Sequence, residues 1–205
     1  TLLLQTVLLP LALAGGPSQL TLRGGTHVAW SPPVHYVQWV LLPMLRRTGI
    51  SASIELVDYG WYPRGGGEAR VTIDGSAGLH GGVLTSRGEF TGLQGLAVAS
   101  NLPSHIPQRI SGRANNLLRE AGLPRRVEPL RASGPSDGAG VFIALAYEHV
   151  MAGFTGLGRP GKPSDQVASE AVEPLIRYYR GTAALDPYLP DQLLPALMLA
   201  AGPSL

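Results

Sequence analysis

A carboxylate and a carboxamide stand side by side near the end of the sequence, where Asp191 and Gln192 open the apolar stretch LLPALMLAAG. An aspartate at a helix start accepts hydrogen bonds from orphan backbone amides and complements the helix dipole, which explains Asp191 without any ligand. A second amide, Gln5, stands at the matching place in a related apolar segment near the beginning of the chain. Polar side chains at the same end of two related helices could together bind a ligand's phosphate or base.

The other reactive residues form no familiar catalytic or metal-binding pattern. The sequence holds no P-loop and no H-E-x-x-H motif, each of which needs a set spacing for its chemistry. Its five histidines are scattered, and His27 and His35 flank the turn AWSPP. These two could face a ligand, but we expect them to be solvated loop residues. The amides of RGGG (64–67) could bind a phosphate, although a plain hairpin turn is the preferred interpretation.

The composition is that of a globular chain. Of 205 residues, 44% are hydrophobic and 15% are charged, which is too apolar for a disordered protein. The net charge of +2 forces no general polyanion-binding surface, so any nucleic-acid contact must be a local patch. The absence of cysteine excludes disulfides and predicts a cytoplasmic protein. The apolar first residues lack a basic signal-peptide segment and are too short to span a bilayer, so we expect a buried helix and no membrane contact.

Three apolar segments resemble one another and must position these candidate residues. Each contains Leu-Leu-Pro, then glycine, then the start of a strand, and they cover residues 8–22, 41–56 and 193–205. Such self-similarity predicts a repeated supersecondary unit. The second segment follows the first after about 33 residues and the third after about 150 more, which indicates an insertion between them.

Hydrophobic periodicity predicts a fold of helices and strands with an inserted domain. In the first part we expect helices over 2–14 and from Val34 to about Gly49, and strands over 19–22, 50–57 and 68–73. Further on we expect a strand near 89–99, a helix over 104–121 and two strands within 141–158, followed by a helix that Ser164 caps and Pro174 kinks. The predicted domains are 1–75, 76–181 and 182–205, the first and last forming one larger unit.

Three longer motifs resemble those of the RNA 3'-terminal phosphate cyclase family. They are GGTHVAWSPPVHYV, GWYPRGGG and TAALDPYLPDQLLPALMLAAG, and the similarity runs over essentially the whole chain. The resemblance implies an α+β fold of repeated βαβαββ units related to the C-terminal domain of translation initiation factor three. It also implies a smaller, thioredoxin-like insert, and the predicted insertion at 76–181 fits that plan.

The resemblance implies an ATP-dependent conversion of an RNA 3'-phosphate to a 2',3'-cyclic phosphate, in which a histidine first takes AMP from ATP and the RNA phosphate then takes it from the histidine. Mg²⁺ or Mn²⁺ would offset the charge of the triphosphate. The family's adenylate-contacting Y-L-x-D-Q segment maps here onto Tyr188, Leu189, Pro190, Asp191 and Gln192. The glutamine of its Q-T-V-L motif maps onto Gln5, and Pro32 or Pro33 and Phe154 match positions near the adenine.

The sequence departs from the family at the nucleophile. The family's histidine lies in an H-x-x-T-N-like segment, and a Gly-rich acidic segment precedes the position of Thr1; neither is present in this sequence. None of the five histidines matches the nucleophile's position, so the sequence assigns no catalytic residue. We expect a fragment or ordered part of a longer protein, unable to adenylate itself.

Three other interpretations stay open at this point. A cyclase-like protein without catalysis, as in the family branch that serves ribosome biogenesis, would bind RNA or protein partners, although YLPDQ and Gln5 favour the catalytic branch. An enolpyruvyl transferase built from similar repeats would need a cluster of Lys and Arg, and Lys162 is the only lysine. The third is a plain binding module with no active site.

Overall fold

A computed structural model describes residues 1–76 and 78–205 of the chain. The helical elements are α1 (Leu2–Leu13), α2 (Val34–Tyr36), a π-helical turn (Val37–Leu41), α3 (Leu42–Arg46), α4 (His105–Glu120), α5 (Ser164–Arg180) and α6 (Leu189–Leu199). The strands are β1 (Ser18–Gly24), β2 (Ser51–Asp58), β3 (Gly67–Gly75), β4 (Phe90–Ser100), β5 (Val127–Ala132), β6 (Gly138–Tyr147) and β7 (Met151–Leu157). The protein is therefore a mixture of helices and strands, with the strands in two sheets.

The first sheet has the order β1-β3-β2, and β3 pairs antiparallel with both neighbours. Ala69, Val71 and Ile73 alternate along β3 as its buried residues, because successive side chains of a strand point to opposite faces. They share one hydrophobic cluster with Leu4 and Leu8 of α1, which lie on one helical face because they are four positions apart.

Helix α6 packs into the same cluster. Its buried residues Leu189, Leu193 and Ala196 recur every three or four positions, which gives the helix a single apolar face. The hydrophobic core therefore brings α1 and α6, the helices of the first and third similar segments, against each other.

The helix between β1 and β2 widens just before Pro43. Proline has no amide hydrogen, and its ring collides with the carbonyl four residues earlier in a regular α-helix, here that of Trp39. A π-helical turn over Val37–Leu41 contains Trp39 and ends just before the proline. The continuous helix that we predicted from Val34 to about Gly49 is thus divided by this wider turn.

The second sheet has the order β5-β4-β6-β7. Strands β4 and β5 are parallel and joined by α4, whereas β6 runs antiparallel to both of its neighbours. Ala97 and Val141 face α4 and α5 in one cluster, while Val98 and Phe142 face Trp61 of the β2–β3 turn in another. The second sheet therefore has α4 and α5 on one face and the β2–β3 turn on the other.

Two local predictions need correction. Strand β5 was not predicted from the sequence, since its segment VEPLRA contains Pro129; β5 is an edge strand, where proline is tolerated. Ser164 does not cap α5, because Pro163 holds the cap position and no side chain caps that helix. The domain limits 1–75, 76–181 and 182–205, the repeats like translation initiation factor three and the thioredoxin-like insert stay predictions.

No helix within residues 1–76 and 78–205 combines the length and apolar character needed to cross a membrane.

Candidate functional site

Gln5 of α1 and Gln192 of α6 contact each other. The Nε2 group of Gln5 donates a hydrogen bond to Oε1 of Gln192 at 2.6 Å, and Nε2 of Gln192 donates to the carbonyl of Tyr188 at 2.9 Å. Both glutamines are half-buried, since their helices share one hydrophobic cluster. The structure thus brings together two candidate residues that lie 187 positions apart in the sequence.

The loop before α2 closes the Gln5 side of this contact. The hydroxyl of Thr1 is hydrogen-bonded to the hydroxyl of Ser31, and the amide of Gln5 donates to the Thr1 carbonyl one helical turn away at 3.1 Å. Pro32 follows Ser31 and is half-buried, whereas Pro33 is buried and precedes the first residue of α2. Of the two candidate prolines, Pro32 has more surface to offer a ligand.

Asp186, which the sequence analysis did not single out, holds the start of α6 in place. Its Oδ1 accepts hydrogen bonds from the backbone N–H groups of Tyr188 at 2.8 Å and Leu189 at 3.0 Å. Its Oδ2 accepts from the N–H of Gly153 at 3.0 Å, and the hydroxyl of Tyr36 donates to the same carboxylate at 3.0 Å. The fully buried carboxylate therefore ties α6 to both α2 and β7.

Burial shifts the proton equilibria of both side chains in this contact. Burial raises the pKa of Asp186 above its ordinary value of 3.8, and the hydrogen bonds that it accepts oppose the rise. Burial, reinforced by the Asp186 carboxylate, raises the pKa of the Tyr36 hydroxyl, which therefore stays a donor at neutral pH. Gly153 permits the close packing, since a Cβ there would lie 2.7 Å from the Tyr36 ring.

The contacts of Asp186 change the explanation of Asp191. The backbone amides of Tyr188 and Leu189 at the start of α6 donate to Asp186 and not to Asp191. Within the described part of the chain, the exposed carboxylate of Asp191 takes part in no hydrogen bond or ion pair. Its charge still complements the helix dipole, but the carboxylate oxygens are free to bind a ligand.

The other residues of the YLPDQ motif differ in how much surface they offer. Tyr188 is 61% exposed, and its ring lies edge-on to the Tyr36 ring with centroids 6.4 Å apart. Pro190 is exposed. Leu189, in contrast, is fully buried in the core. Tyr188 and Pro190 can therefore touch a ligand with their side chains, whereas the Leu189 side chain cannot without leaving the core.

Phe154 lies outside this polar group. Its ring packs against Tyr178 of α5 with centroids 5.6 Å apart, in the cluster between the second sheet and its helices. Only 3% of the residue is exposed, so the ring has little surface for an adenine. The adjacent Gly153 is the residue through which β7 contacts Asp186.

A second buried polar network lies between the two sheets. His27 Nε2 and His35 Nδ1 are 2.8 Å apart, while their other ring nitrogens lie 2.7 Å from Thr26 Oγ1 and 3.5 Å from the Tyr59 hydroxyl. The two histidines are 2% and 5% exposed. Our expectation that they are solvated loop residues is therefore wrong.

The histidines are buried because their loop folds against the β2–β3 turn. The backbone N–H groups of Thr26 and His27 donate to the carbonyl of Gly60 at 2.9 and 3.0 Å, and the Gly60 N–H donates to the Thr26 hydroxyl at 2.8 Å. A Cβ on Gly60 would lie 2.2 Å from the Gly24 carbonyl oxygen, so only glycine permits this approach.

The buried environment keeps both imidazoles neutral at pH 7. Burial lowers the pKa of His35 from 6.5 to about 4. Burial, followed by the nearby His35 and the N-terminal amine, lowers the pKa of His27 well below 6.5. A neutral imidazole donates from one nitrogen and accepts at the other. The hydrogen bonds that link Thr26, His27, His35 and Tyr59 in series can therefore all form with the donors pointing in either direction along the series.

The side chains of the α1–α6 site have the chemistry to bind a nucleotide. Among residues 1–76 and 78–205, no three or more His, Cys, Asp or Glu side chains are grouped as a metal site would require. Mg²⁺ at nucleotide sites is usually held by one or two carboxylates together with the substrate phosphates, and Asp191 could supply one. The amides of Gln5 and Gln192 can pair with a base, ribose or phosphate, and the Tyr188 ring offers a stacking face.

The fold and the site together define a protein of helices and two sheets whose polar site lies where two similar Leu-Leu-Pro helices meet. The sequence model of the family described as RNA 3'-terminal phosphate cyclase matches residues 1–205. The chain belongs to that family.

Curated relatives agree with this assignment. The chain is 48% identical over 204 residues to the RNA 3'-terminal phosphate cyclase of Gloeothece citriformis, a match that covers 100% of this chain and 58% of the relative. It is 50% identical over 204 residues to that of a Nostoc species, covering 59% of the relative. The cyclase of Archaeoglobus fulgidus is 38% identical over 202 residues, which cover 98% of this chain and 60% of the relative. The chain thus spans 58 to 60% of the length of these relatives.

Proposed function

We propose that the gene product containing this chain converts RNA 3'-terminal phosphates to 2',3'-cyclic phosphates with ATP, and that the α1–α6 site holds the nucleotide. The hydrogen bond between Gln5 and Gln192 is the observation that carries the proposal. Family resemblance had assigned both residues to the nucleotide, and their side chains meet at a half-buried surface beside the free carboxylate of Asp191.

The proposed reaction needs activation because a phosphomonoester is a poor electrophile for its own neighbouring hydroxyl. A histidine nitrogen attacks the α-phosphorus of ATP and releases pyrophosphate. A terminal phosphate oxygen of the RNA then displaces the histidine and takes the AMP. Finally the vicinal 2'-OH attacks the RNA phosphorus, loses its proton and expels AMP, which closes the cyclic phosphate. Covalent activation of this kind divides one difficult step into easier ones.

Each site residue has a role suited to its chemistry. The exposed Tyr188 ring stacks on the adenine, with Pro32 on the loop at the Gln5 side. The amides of Gln5 and Gln192 donate to and accept from the nucleotide. The Asp191 carboxylate accepts hydrogen bonds from ribose hydroxyls or faces Mg²⁺ or Mn²⁺, which supplies charge neutralisation when bound. Asp186 does not touch the nucleotide but fixes the backbone that carries Tyr188.

We also propose the finer architecture that the family resemblance implies. The core residues of α1 and α6 fall in one cluster with those of β3, which supports a larger unit of 1–75 and 182–205 made of repeats like translation initiation factor three. A separate cluster joins β4, β6 and β7 to α4 and α5, which supports a thioredoxin-like insert over 76–181. The absence of cysteine supports a reducing, cytoplasmic location.

The experiment compares two Asp-Gln pairs in the gene product containing this chain. Asp191 and Gln192 lie in the first turn of α6, and Asp165 and Gln166 occupy the first turn of α5 as an exposed pair outside the site. The assay follows cyclic phosphate formation on an RNA with a labelled 3'-phosphate, at varied ATP concentration.

The variants Asp191→Asn and Gln192→Ala should raise the KM for ATP by about 10-fold or more, the effect of losing one hydrogen bond to a charged group. The control variants Asp165→Asn and Gln166→Ala should leave that KM unchanged. Absence of any cyclic product from the unaltered protein would reject the enzyme in favour of the non-catalytic, RNA-binding alternative. Equal effects of both pairs would reject the nucleotide site.

A further inference from the structure

The exposed face of α4 is basic over its whole length. The buried residues Ile110, Ala114 and Leu118 lie on one side of the helix, so the opposite side faces solvent. Spacings of three and four positions place polar residues in a row there. The row consists of His105, Gln108, Arg109, Arg113, Asn116 and Arg119, all exposed, with Glu120 as the acidic residue beside it.

This positive charge is local and unpaired. Residues 105–131 contain six of the chain's 16 Lys and Arg residues but two of its 14 Asp and Glu residues, although the whole chain carries a net charge of only +2. The four ion pairs and the His149–Glu148 contact found in residues 1–76 and 78–205 involve none of these six arginines. The guanidinium groups of α4 are therefore free to bind an anionic partner.

Gly112 is a second, independent observation on the same face. Glycine destabilises a helix interior relative to alanine, and a Cβ at Gly112 would meet nothing within 4 Å. Packing therefore gives no reason for a glycine at this position. Because residues three and four apart are neighbours on a helix, Gly112 leaves a gap in the surface between Arg109, Asn116 and Gln108. Such a gap lets a ligand approach the helix backbone closely.

We propose that this face of α4 binds the phosphodiester backbone of the RNA. The identity of the polyanion rests on the proposed function, while the site itself rests on the arginine row and the gap at Gly112. Arginine forms charge-assisted, bidentate hydrogen bonds with phosphate. Gln108 and Asn116 add uncharged donors and acceptors that can reach a ribose hydroxyl or a base edge.

The position of α4 predicts which part of the RNA it holds. Helix α4 covers the face of the second sheet that carries Ala97 and Val141, whereas Trp61 of the β2–β3 turn packs on the opposite face. The helices of the α1–α6 site belong to the cluster that includes β3 of the first sheet. The α4 face therefore contacts nucleotides well upstream of the reacting 3' end, and its contribution must grow with RNA length.

The test measures binding of fluorescein-labelled single-stranded RNA by fluorescence anisotropy, without ATP, in the gene product containing this chain. The long probe has about 20 nucleotides, which exceeds the ~4–16 nucleotides that single-strand-binding folds cover, and the short probe has about four. Each probe is made with a 3'-phosphate and with a 3'-OH. The double variant Arg109→Gln/Arg113→Gln is compared with Arg46→Gln/Arg47→Gln, an exposed arginine pair at the end of α3 that removes the same charge.

The α4 double variant should weaken binding of the long probe by about 10-fold and reduce its salt slope by about 1.4, at ~0.7 for each single-strand phosphate that the protein no longer neutralises. The α3 double variant should change neither the affinity for the long probe nor its salt slope. Binding of the short probe should be the same in both double variants as in the unaltered protein. Gly112→Ala should raise the midpoint of thermal unfolding and yet weaken the long probe severalfold, a combination that a purely structural glycine would not give.

Equal decreases in affinity in the two double variants, or unchanged RNA binding in Gly112→Ala, would overturn the proposal. So would preferential binding of phosphatidylserine vesicles through the same arginines. Failure of the cyclase proposal would appear in a different experiment, as the absence of cyclic product. Binding of RNA to the α4 face is measured without ATP and with either a 3'-phosphate or a 3'-OH, so it does not depend on that reaction.

Discussion

Acidification should destabilise this protein through His27 and His35. Both rings are buried and neutral at pH 7, since burial lowers the pKa of His35 from 6.5 to about 4 and lowers that of His27 well below 6.5. In the unfolded chain both side chains bind protons near pH 6.5. Between pH 6.5 and about 4 the unfolded state therefore binds more protons than the folded state, so stability is complete above pH 6.5 and falls as the pH drops below it.

The loss of stability can be calculated from the pH range in which only the unfolded state binds these protons. One proton bound only by the unfolded state changes the free energy of unfolding by about 1.4 kcal/mol per pH unit. At a pH of about 5.5, one unit below the ordinary histidine pKa, each buried histidine should cost about 1.4 kcal/mol and the pair about 3 kcal/mol. Burial raises the pKa of Asp186 above 3.8, so as the pH falls the folded state binds a proton at this carboxylate before the unfolded state does, which opposes the loss of stability from the histidines.

The free energy of unfolding is measured by urea unfolding at a pH of about 7.5 and at a pH of about 5.5. Unfolding is followed by tryptophan fluorescence, since Trp39 and Trp61 lie beside the histidines. The control variant His105→Gln removes an exposed histidine and should show the same pH dependence as the unaltered protein. A change below about 1 kcal/mol between the two pH values, or ring nuclear magnetic resonance titrations with an ordinary histidine midpoint, would refute the buried neutral pair.

Two further predictions concern other buried polar groups. Asp186→Ala leaves the N–H groups of Tyr188 and Gly153, among others, without their acceptor and should lower the free energy of unfolding by about 3–5 kcal/mol. Tyr36→Phe removes one donor and should lower it by about 1–2 kcal/mol. Equal decreases of the two variants in urea unfolding would contradict the role given to Asp186. Tyr147→Phe removes a buried hydroxyl that has no hydrogen-bond partner within the described residues. It should leave stability unchanged or raise it by about 1 kcal/mol, and a decrease of that size by the same measurement would show that the hydroxyl is paired.

Local patterns in the sequence were sufficient to predict most of the helices and strands. The i, i+4 spacing of Leu4 and Leu8 and the alternation along β3 each mark a single apolar face. Strand β5 was not predicted because Pro129 disfavours the interior of a strand. The proline is tolerated because β5 lies at the edge of its sheet, and that position is known only from the assembled sheet. The π-helical turn was missed even though the predicted helix already enclosed Pro43, because hydrophobic periodicity does not show where a proline disturbs the hydrogen bonds of the preceding turn.

The candidate site was predictable where it repeats and unpredictable where it depends on tertiary contacts. Gln5 and Gln192 stood out because each precedes one of the similar Leu-Leu-Pro segments. Asp186 also had a local signal, since an aspartate just ahead of a helix start is a common cap. The capping role was assigned to Asp191 instead because Asp191 and Gln192 directly precede the apolar stretch. The segment of Thr26 and His27 is held against Gly60, which lies in the β2–β3 turn, so no spacing near His27 and His35 could reveal their burial.

The intact mass of the protein before and after incubation with ATP and Mg²⁺ tests the central claim most directly. The gene product containing this chain should gain one adenylyl group, while the 205-residue chain should gain none. In that chain His27 and His35 are buried against each other, and His80 bridges Ala201 beyond the far end of α6. A gene product that never gains the adenylyl group would contradict the cyclase mechanism, and labelling of the 205-residue chain would contradict the conclusion that none of its histidines is the nucleophile.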